Sequence, residues 1–278
     1  MLIENCHGVN VPKLGFGTWE LRDEICSELV THAISVGYRH IDTAIFYHNE
    51  EAVGEGIRKG IADNNLSRDD IFLTTKIWPD NCRKGDLEAA LEGSLERLNV
   101  GLVDLALIHW PPKNFPVTEA VEAINDAKDK GLCKNIGVSN FTVPQLKEAL
   151  SVTRHPILCN QVEYHPRLSQ DKLLPFMREN KIALVSYCPL SRGGALFDNP
   201  IVTDLADKYN KTPAQIILRW HMDQDGVMAI PRTKTPSRAA QNFDIEDFSL
   251  TADEVASLSA LATPDGRICD YDFSPDWD

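Results

Sequence analysis

The feature that most constrains this chain is an alternation of two textures repeated along its length. Short apolar or β-branched runs occupy residues 38–42, 71–76, 103–108, 135–139, 158–162, 182–187 and 227–230. Amphipathic stretches lie between them. In residues 86–98, for example, Leu87, Leu91, Leu95 and Leu98 fall at i, i+4, i+8 and i+11, one stripe of a helix. Counting residues 14–17 as a first short strand gives eight strands, each followed by a helix. Strands joined by helical crossovers run parallel and wind with one hand. Eight such α/β units in 278 residues predict a closed (β/α)8 TIM barrel rather than an open sheet.

Punctuation supports the helix starts. Thr142 precedes Val143-Pro144 with Gln145 three residues on, a pattern in which each side chain caps the other's backbone. Thr212 stands before Pro213 in the same way, and Thr251 precedes Asp253 and Glu254. Residues 201–209 predict an extra helix before the helix that follows strand seven, which starts near Thr212. Residues 1–12 precede the first strand, and Gly8-Val-Asn10 predicts the turn of a short N-terminal hairpin over the barrel floor. No linker-like stretch interrupts the pattern, so residues 1–278 read as one domain.

Charge and cysteine usage narrow the function. A net charge of −13 offers no general field for nucleic acid or an anionic membrane. No apolar run approaches a membrane span, and the N-terminus lacks the charged start and apolar core of a secretory signal. The seven cysteines are scattered with no Cys-x-x-Cys pair, which suits reduced thiols in a cytoplasmic enzyme. The eight histidines show no His-Glu-x-x-His spacing, so no metal is expected. A metal-dependent barrel hydrolase would need clustered His and carboxylate ligands at strand ends, where only His109 is found.

Reactive groups of such a barrel sit at the C-terminal ends of its strands. Strand two ends at Asp42, with Tyr47 five residues on. Strand three ends at Lys76 and strand four at His109. Neighbouring strands lie about 4.8 Å apart, so these four side chains can meet in one mouth. A carbonyl that accepts hydride develops negative charge on oxygen and needs a proton donor. Tyr47 suits that role if a cation makes its proton easier to lose. Lys76 can be that cation, Asp42 can hold it charged, and His109 can donate a hydrogen bond to the carbonyl oxygen. Each residue alone also has a plain structural role: turn cap, solvated strand end, loop packing, core histidine. Their interdependence at three successive strand ends favours the chemical reading. Around them, Trp19, Phe46, Trp78 and Trp110 stand at or beside strand ends and predict an apolar pocket.

Several segments resemble those of the aldo-keto reductase family: Gly15-Phe-Gly-Thr-Trp19, His40-Ile-Asp-Thr-Ala44, Tyr47-His-Asn-Glu50 and Thr75-Lys-Ile-Trp78. So do Leu107-Ile-His-Trp-Pro111, Gly137-Val-Ser-Asn-Phe141, Asn160-Gln-Val-Glu-Tyr-His-Pro166 and Ile230-Pro-Arg-Thr233, in order over nearly the whole chain. The resemblance, nearest to bacterial 2,5-diketo-gluconate reductase-like members, implies a catalytic tetrad of Asp42, Tyr47, Lys76 and His109. It also implies NADPH (NADP+) as cofactor. Ser139, Asn140 and Gln161 would bind the nicotinamide carboxamide, and Tyr187 would stack on its ring. Pro189, Leu190 and Ser191 would line the pyrophosphate strap, with Gln241 and Asn242 at the adenine.

The residues themselves give a consistent cofactor reading. No Gly-x-Gly-x-x-Gly fingerprint follows a strand, and Gly54-Glu-Gly56 with Gly60 has the wrong spacing inside a predicted helix. The last strand instead leads into Arg232, Thr233 and Lys234 and a helix carrying Arg238, an anion site that suits the extra phosphate of NADPH. Arg232 stands where the family usually has lysine, and Gln241 where glutamate is common. Family resemblance further implies a monomer or weak dimer and a C-terminal segment that shapes specificity; here residues 266–278 form a short one with Tyr271, Phe273 and Trp277, which predicts a pocket open to small aldehydes, dicarbonyls and keto-sugars. The alternative is a regulatory protein that binds the cofactor on the same fold with little turnover.

Overall fold

The computed structural model describes all 278 residues. It opens with an antiparallel hairpin of β1 (Ile3–Cys6) and β2 (Val9–Pro12). Cys6 pairs with Val9, so the turn is His7-Gly8, not Gly8-Val-Asn10 as expected. A tight two-residue hairpin turn needs positive φ at both central residues. His7 (φ 50°) and Gly8 (φ 84°) supply it, whereas a β-branched residue such as Val9 resists that region.

Eight parallel strands follow: β3 (Phe16–Gly17), β4 (His40–Asp42), β5 (Phe72–Ile77), β6 (Val103–Ile108), β7 (Cys133–Ser139), β8 (Ile157–Glu163), β9 (Ala183–Tyr187) and β10 (Val227–Ala229). Each pairs with the next. The ring closes where Gly15 N donates to Ala229 O (2.9 Å), Ala229 N to Lys13 O (2.8 Å) and Gly17 N to Pro231 O (3.0 Å). Closure leaves no exposed strand edge. Two strands run one residue past their expected ends, β5 to Ile77 and β8 to Glu163.

Helices α1 (Asp23–Val36), α2 (Glu50–Asp63), α3 (Asp86–Leu98), α4 (Val117–Asp129), α5 (Val143–Val152) and α6 (Leu173–Glu179) connect the strands in turn. After β9 come the extra helix α7 (Pro200–Tyr209) and then α8 (Pro213–Met222), and after β10 come α9 (Pro236–Phe243) and α10 (Ala252–Ser259). The last is a second helix beyond the eight units. Thr142, Thr212 and Thr251 form the reciprocal caps of α5, α8 and α10 with Gln145, Gln215 and Glu254.

Two cores result. A large one fills the layer between helices and sheet. A smaller one lies inside the barrel, where Leu105, Leu107, Leu158, Cys159, Val185 and Met228 meet Cys6 and Val11 of the hairpin. The hairpin thus plugs the floor with apolar side chains, leaving polar inward residues for the upper layer. The glycines of the discarded nucleotide-type pattern sit on α2. A Cβ at Gly54 would lie 1.8 Å from Leu98 O, and one at Gly56 would lie 2.6 Å from Ser27 O. One at Gly60 would lie 2.7 Å from the Ile34 side chain. These glycines therefore permit close helix packing rather than phosphate binding.

Substituting two glycines separates packing from propensity. Gly54→Ala should lower unfolding free energy by about 3 kcal/mol or more, because the clash is with backbone. Gly93→Ala on α3 meets only the flexible Arg97 guanidinium and should gain about 0.5–1 kcal/mol from helix propensity. Urea melts of both variants check the pair, and equal midpoints would contradict this packing.

Candidate active site

Asp42 is the last residue of β4, and Lys76 is the penultimate residue of β5. His109 follows β6 and extends its ladder, its amide donating to Ile77 O at 2.9 Å. Tyr47 lies on a single 3₁₀ turn, Ile45–Tyr47. Asn49 holds that loop in place. Its Nδ2 donates to Thr18 O (2.9 Å) and Leu21 O (3.0 Å), and its Oδ1 accepts from Thr43 Oγ1 (2.8 Å).

The structure brings all four side chains together. Lys76 is fully buried and donates from Nζ to Asp42 Oδ1 (2.5 Å), Thr43 O (3.0 Å) and Tyr47 Oη (3.1 Å). The other oxygen of Asp42 accepts from Gln161 Nε2 at 2.8 Å. His109 meets the ring of Tyr47 edge-on with centroids 5.7 Å apart.

Electrostatics follow from this burial. Burial is the largest single influence on Lys76 and opposes its charged form, but Asp42 and Tyr47 together outweigh it and hold the ammonium above its ordinary range. Burial pushes the Tyr47 phenol up, with Lys76 the chief opposing influence. The net direction is therefore the reverse of the lowered phenol that the sequence suggested. Lys76 moderates the shift without overturning it, and Tyr47 keeps its proton at neutral pH. Burial and then the Lys76 charge depress His109 well below the ordinary imidazole range, so it is a neutral ring. Its Nδ1 is buried without a hydrogen-bond partner.

A second polar group adjoins the first. Ser139 Oγ donates to Gln161 O (2.7 Å), Asn140 Nδ2 to His109 O (3.0 Å) and Tyr187 Oη to Asn140 Oδ1 (2.7 Å). Ser139, Asn140 and Gln161 are all buried. After Tyr187 the chain turns sharply. Ser191 N donates to Cys188 O and Gly193 N to Leu190 O, and Cys188, Ser191 and Arg192 all have positive φ. Pro189, Leu190 and Ser191 lie within this turned segment.

Further round the mouth, Thr233 is buried while Arg232 and Arg238 are exposed. Arg232 is not free. Its guanidinium is paired with Glu20 from the loop after β3, a partner that the sequence reading missed. On α9, Asn242 is buried and Gln241 exposed. A hydroxyl, two amides, a stackable phenol ring and a basic loop at a helix start form a donor set that fits a phosphorylated dinucleotide.

The aromatic residues divide. Trp19 lies 4.8 Å from the Tyr47 ring, Phe46 stacks on Trp78 at 4.2 Å, and Trp78 stands edge-on to His109 at 5.4 Å. Trp110 is different. Its ring packs edge-on against Tyr271, Phe273 and Trp277 of the C-terminal segment, and Phe273 also meets Trp78. That segment therefore forms one wall of the opening rather than leaving it bare. It is anchored by Glu163, at the end of β8, whose oxygens accept from the amides of Ile268 and Cys269 (both 2.8 Å). A carboxylate closing a strand was the only available sign of Glu163, and sequence alone did not tell what it binds.

Three buried imidazoles should make stability pH-dependent. His40, His109 and His221 are all depressed by burial, His221 from 6.5 to about 4. Below the ordinary value of 6.5 the unfolded chain takes up protons at these rings that the native chain refuses. Stability is thus full above that pH and falls as pH drops toward 4, by up to about 1.4 kcal/mol per pH unit per ring. Urea unfolding at a series of pH values checks the slope, and His221→Gln should reduce it.

Comparison with known proteins agrees with the geometry. The Aldo/keto reductase family profile matches residues 13–263. Methylglyoxal reductase DkgA of Escherichia coli (strain K12) is 41% identical over 253 residues, covering 90% of each chain. A Bombyx mori aldo-keto reductase solved in complex with NADP superposes with a TM-score of 0.88 at 35% identity, over 94% of this chain and 92% of that one. The aldose reductase of Schistosoma japonicum gives 0.90 at 30% identity, over 95% and 94%. With this barrel, this cluster at its mouth and these relatives over nearly its whole length, the chain belongs to the aldo/keto reductase family.

Proposed function

We propose that this chain reduces small aldehydes and ketones with NADPH, using Tyr47 as proton donor. The observation that carries the reading is the buried hydrogen-bonded series Tyr47–Lys76–Asp42, opening onto an aromatic wall. NADPH, when bound, supplies a hydride to the carbonyl carbon. Ser139, Asn140 and Gln161 would hold its carboxamide and Tyr187 would stack on its ring. Pro189, Leu190 and Ser191 cover the pyrophosphate. Arg232, Thr233 and Arg238 take the extra phosphate, and Gln241 and Asn242 meet the adenine.

Each catalytic side chain then has one task. Tyr47, protonated in the resting site, donates its proton to the carbonyl oxygen as charge grows there. Lys76 stabilises the phenolate that this leaves, and Asp42 keeps Lys76 charged and aimed. His109 is too depressed to give up a proton and instead donates a hydrogen bond. An orphaned buried N–H is costlier than an orphaned lone pair, so the unpartnered Nδ1 favours the tautomer with its hydrogen on Nε2, available to the carbonyl oxygen. A positioned acid contributes on the order of 10²–10⁴-fold, and the fixed charge and orientation supply more.

Trp19, Phe46 and Trp78 form the apolar walls, with Trp110 behind Phe273. Such a mouth suits compact carbonyls. The naming of relatives as methylglyoxal reductases supports α-dicarbonyls first, with keto-sugars next. One barrel unit over residues 1–278 carries the whole site in this reading, so a monomer or weak dimer suffices. The seven free thiols suit a reducing cytoplasm.

The direct test is NADPH oxidation with methylglyoxal, small aldehydes and keto-sugars, with NADH run in parallel. Faster turnover with NADPH is expected. Tight NADPH binding with no turnover across the panel would instead make the chain a cofactor-binding regulator. Tyr47→Phe should cut turnover by about 10²-fold or more while leaving cofactor affinity intact, and near wild-type rates would remove Tyr47 from the acid role.

Two charge-neutralising variants test the phosphate site. Arg232→Ala should raise the Michaelis constant for NADPH about tenfold with little change for NADH. Glu20→Gln should move the NADPH constant the other way, since Glu20 occupies the same guanidinium. Equal effects on both cofactors would show that Arg232 does not read the phosphate.

A further inference from the structure

Five of the seven cysteines belong to the packed interior. Cys6 and Cys159 lie in the barrel core, and Cys26, Cys82 and Cys133 lie under the helices. Burial pushes every one of those thiols up, Cys6 and Cys26 to about 12 and Cys133 to about 11. The remaining two differ in place and company. Cys188 follows Tyr187 at the end of β9 and opens the turned segment proposed to cover the pyrophosphate. Cys269 lies in the C-terminal wall, 81 residues away in sequence, and their sulfurs are 3.8 Å apart.

We infer that Cys188 and Cys269 form an oxidisable dithiol whose disulfide ties the cofactor-covering segment to the C-terminal wall. Both backbones are well defined at the junction. Cys188 is held at positive φ and accepts the Ser191 amide, while the Cys269 amide is fixed on Glu163. A disulfide needs the sulfurs to close from 3.8 Å to about 2.05 Å, a movement within reach of side-chain rotation. The Arg192 charge favours the thiolate of both, and the two sulfurs share one hydrogen bond in which either can donate; Cys188 is half-buried and Cys269 buried.

The oxidant is a hydroperoxide, taken here as hydrogen peroxide. The thiolate of one cysteine of the pair attacks one peroxide oxygen, the O–O bond breaks, and the departing hydroxide takes up a proton to leave as water. The sulfur becomes a sulfenic acid. The other cysteine then attacks that sulfur, the S–S bond forms, and the hydroxyl takes up the remaining thiol proton and leaves as a second water. Two electrons pass from the thiols to peroxide, and the two thiol hydrogens end in the two waters. Cytosolic disulfides of this kind are characteristically transient and sensing.

The consequence rests on the NADPH reading above. A dinucleotide held beneath residues 188–194 enters and leaves only as that segment lifts, and a covalent link at its base resists lifting. Release steps of this kind commonly set turnover. The link would also fix Phe273, four residues downstream of Cys269, against Trp78 and Trp110.

The experiment treats the full chain with hydrogen peroxide and reads three quantities before and after dithiothreitol. Titratable thiols should fall from seven to five, with peptide mapping placing the link between Cys188 and Cys269. Amide hydrogen exchange across residues 188–194 should slow. Turnover with NADPH should fall about tenfold. All three should reverse on reduction and be absent in Cys269→Ser, with Cys188→Ser as a second such variant. A link elsewhere, no thiol loss, or equal peroxide sensitivity in Cys269→Ser would overturn the assignment. Mapping and exchange do not depend on catalysis, so a failed reductase reading would leave the test of this pair intact.

Discussion

The ion pair between Lys76 and Asp42 is the interaction on which the rest of the mouth depends. Both groups are almost completely withdrawn from water. Burying two charges costs several kcal/mol apiece, a penalty that their attraction offsets only when the remaining hydrogen-bonding positions are filled. Here they are filled from every side. Thr43 and Tyr47 complete the ammonium, and Gln161, on a strand across the barrel, completes the carboxylate. Losing either charge would leave its partner stranded, at a cost of about 3–5 kcal/mol. Apolar replacements of similar shape would serve stability as well or better, so the pair is a cost that chemistry explains and packing does not.

That pair is possible because the barrel interior is divided by height. Strand register sets Leu107 beside Lys76, and Thr74 beside Asp42. Lower layers are apolar and are sealed by Cys6 and Val11 of the hairpin. Water is thereby excluded from beneath the charges, which strengthens their interaction and depresses His109. The loops then add what the strands cannot. Asn49 holds Tyr47 over Lys76, Glu163 anchors the C-terminal wall, and Cys188 joins the two regions at their one sulfur contact.

Much of this was legible in the sequence for physical reasons. Parallel strands buried on both faces read as continuous apolar runs, which is why seven of the eight stood out. Threonine caps located three helix starts because a side chain and a backbone three residues apart must satisfy each other. The hairpin turn was misplaced by one residue because Gly8 attracts the eye while His7 must also take positive φ. That the Trp110 ring packs on Tyr271, Phe273 and Trp277 is a contact between distant segments that no local stretch shows. The rise in the Tyr47 phenol escaped notice because a sequence shows which cation is near and not how little water is.

What the sequence determined by itself, then, was the inventory: a repeated strand-helix unit, the chemical identity of the residues closing barrel strands two to four, and a basic loop in an acidic chain. Local periodicity and side-chain chemistry suffice for those. The tertiary structure decided the partnerships, each joining positions far apart along the chain: Lys76 with Asp42, Gln161 with Asp42, Glu20 with Arg232 and Cys188 with Cys269. It decided protonation as well, since burial outweighs the nearest charge at Tyr47 and adds to it at His109. Distances across a closed barrel and the exclusion of water are properties of the folded ring, and no local stretch of sequence contains them.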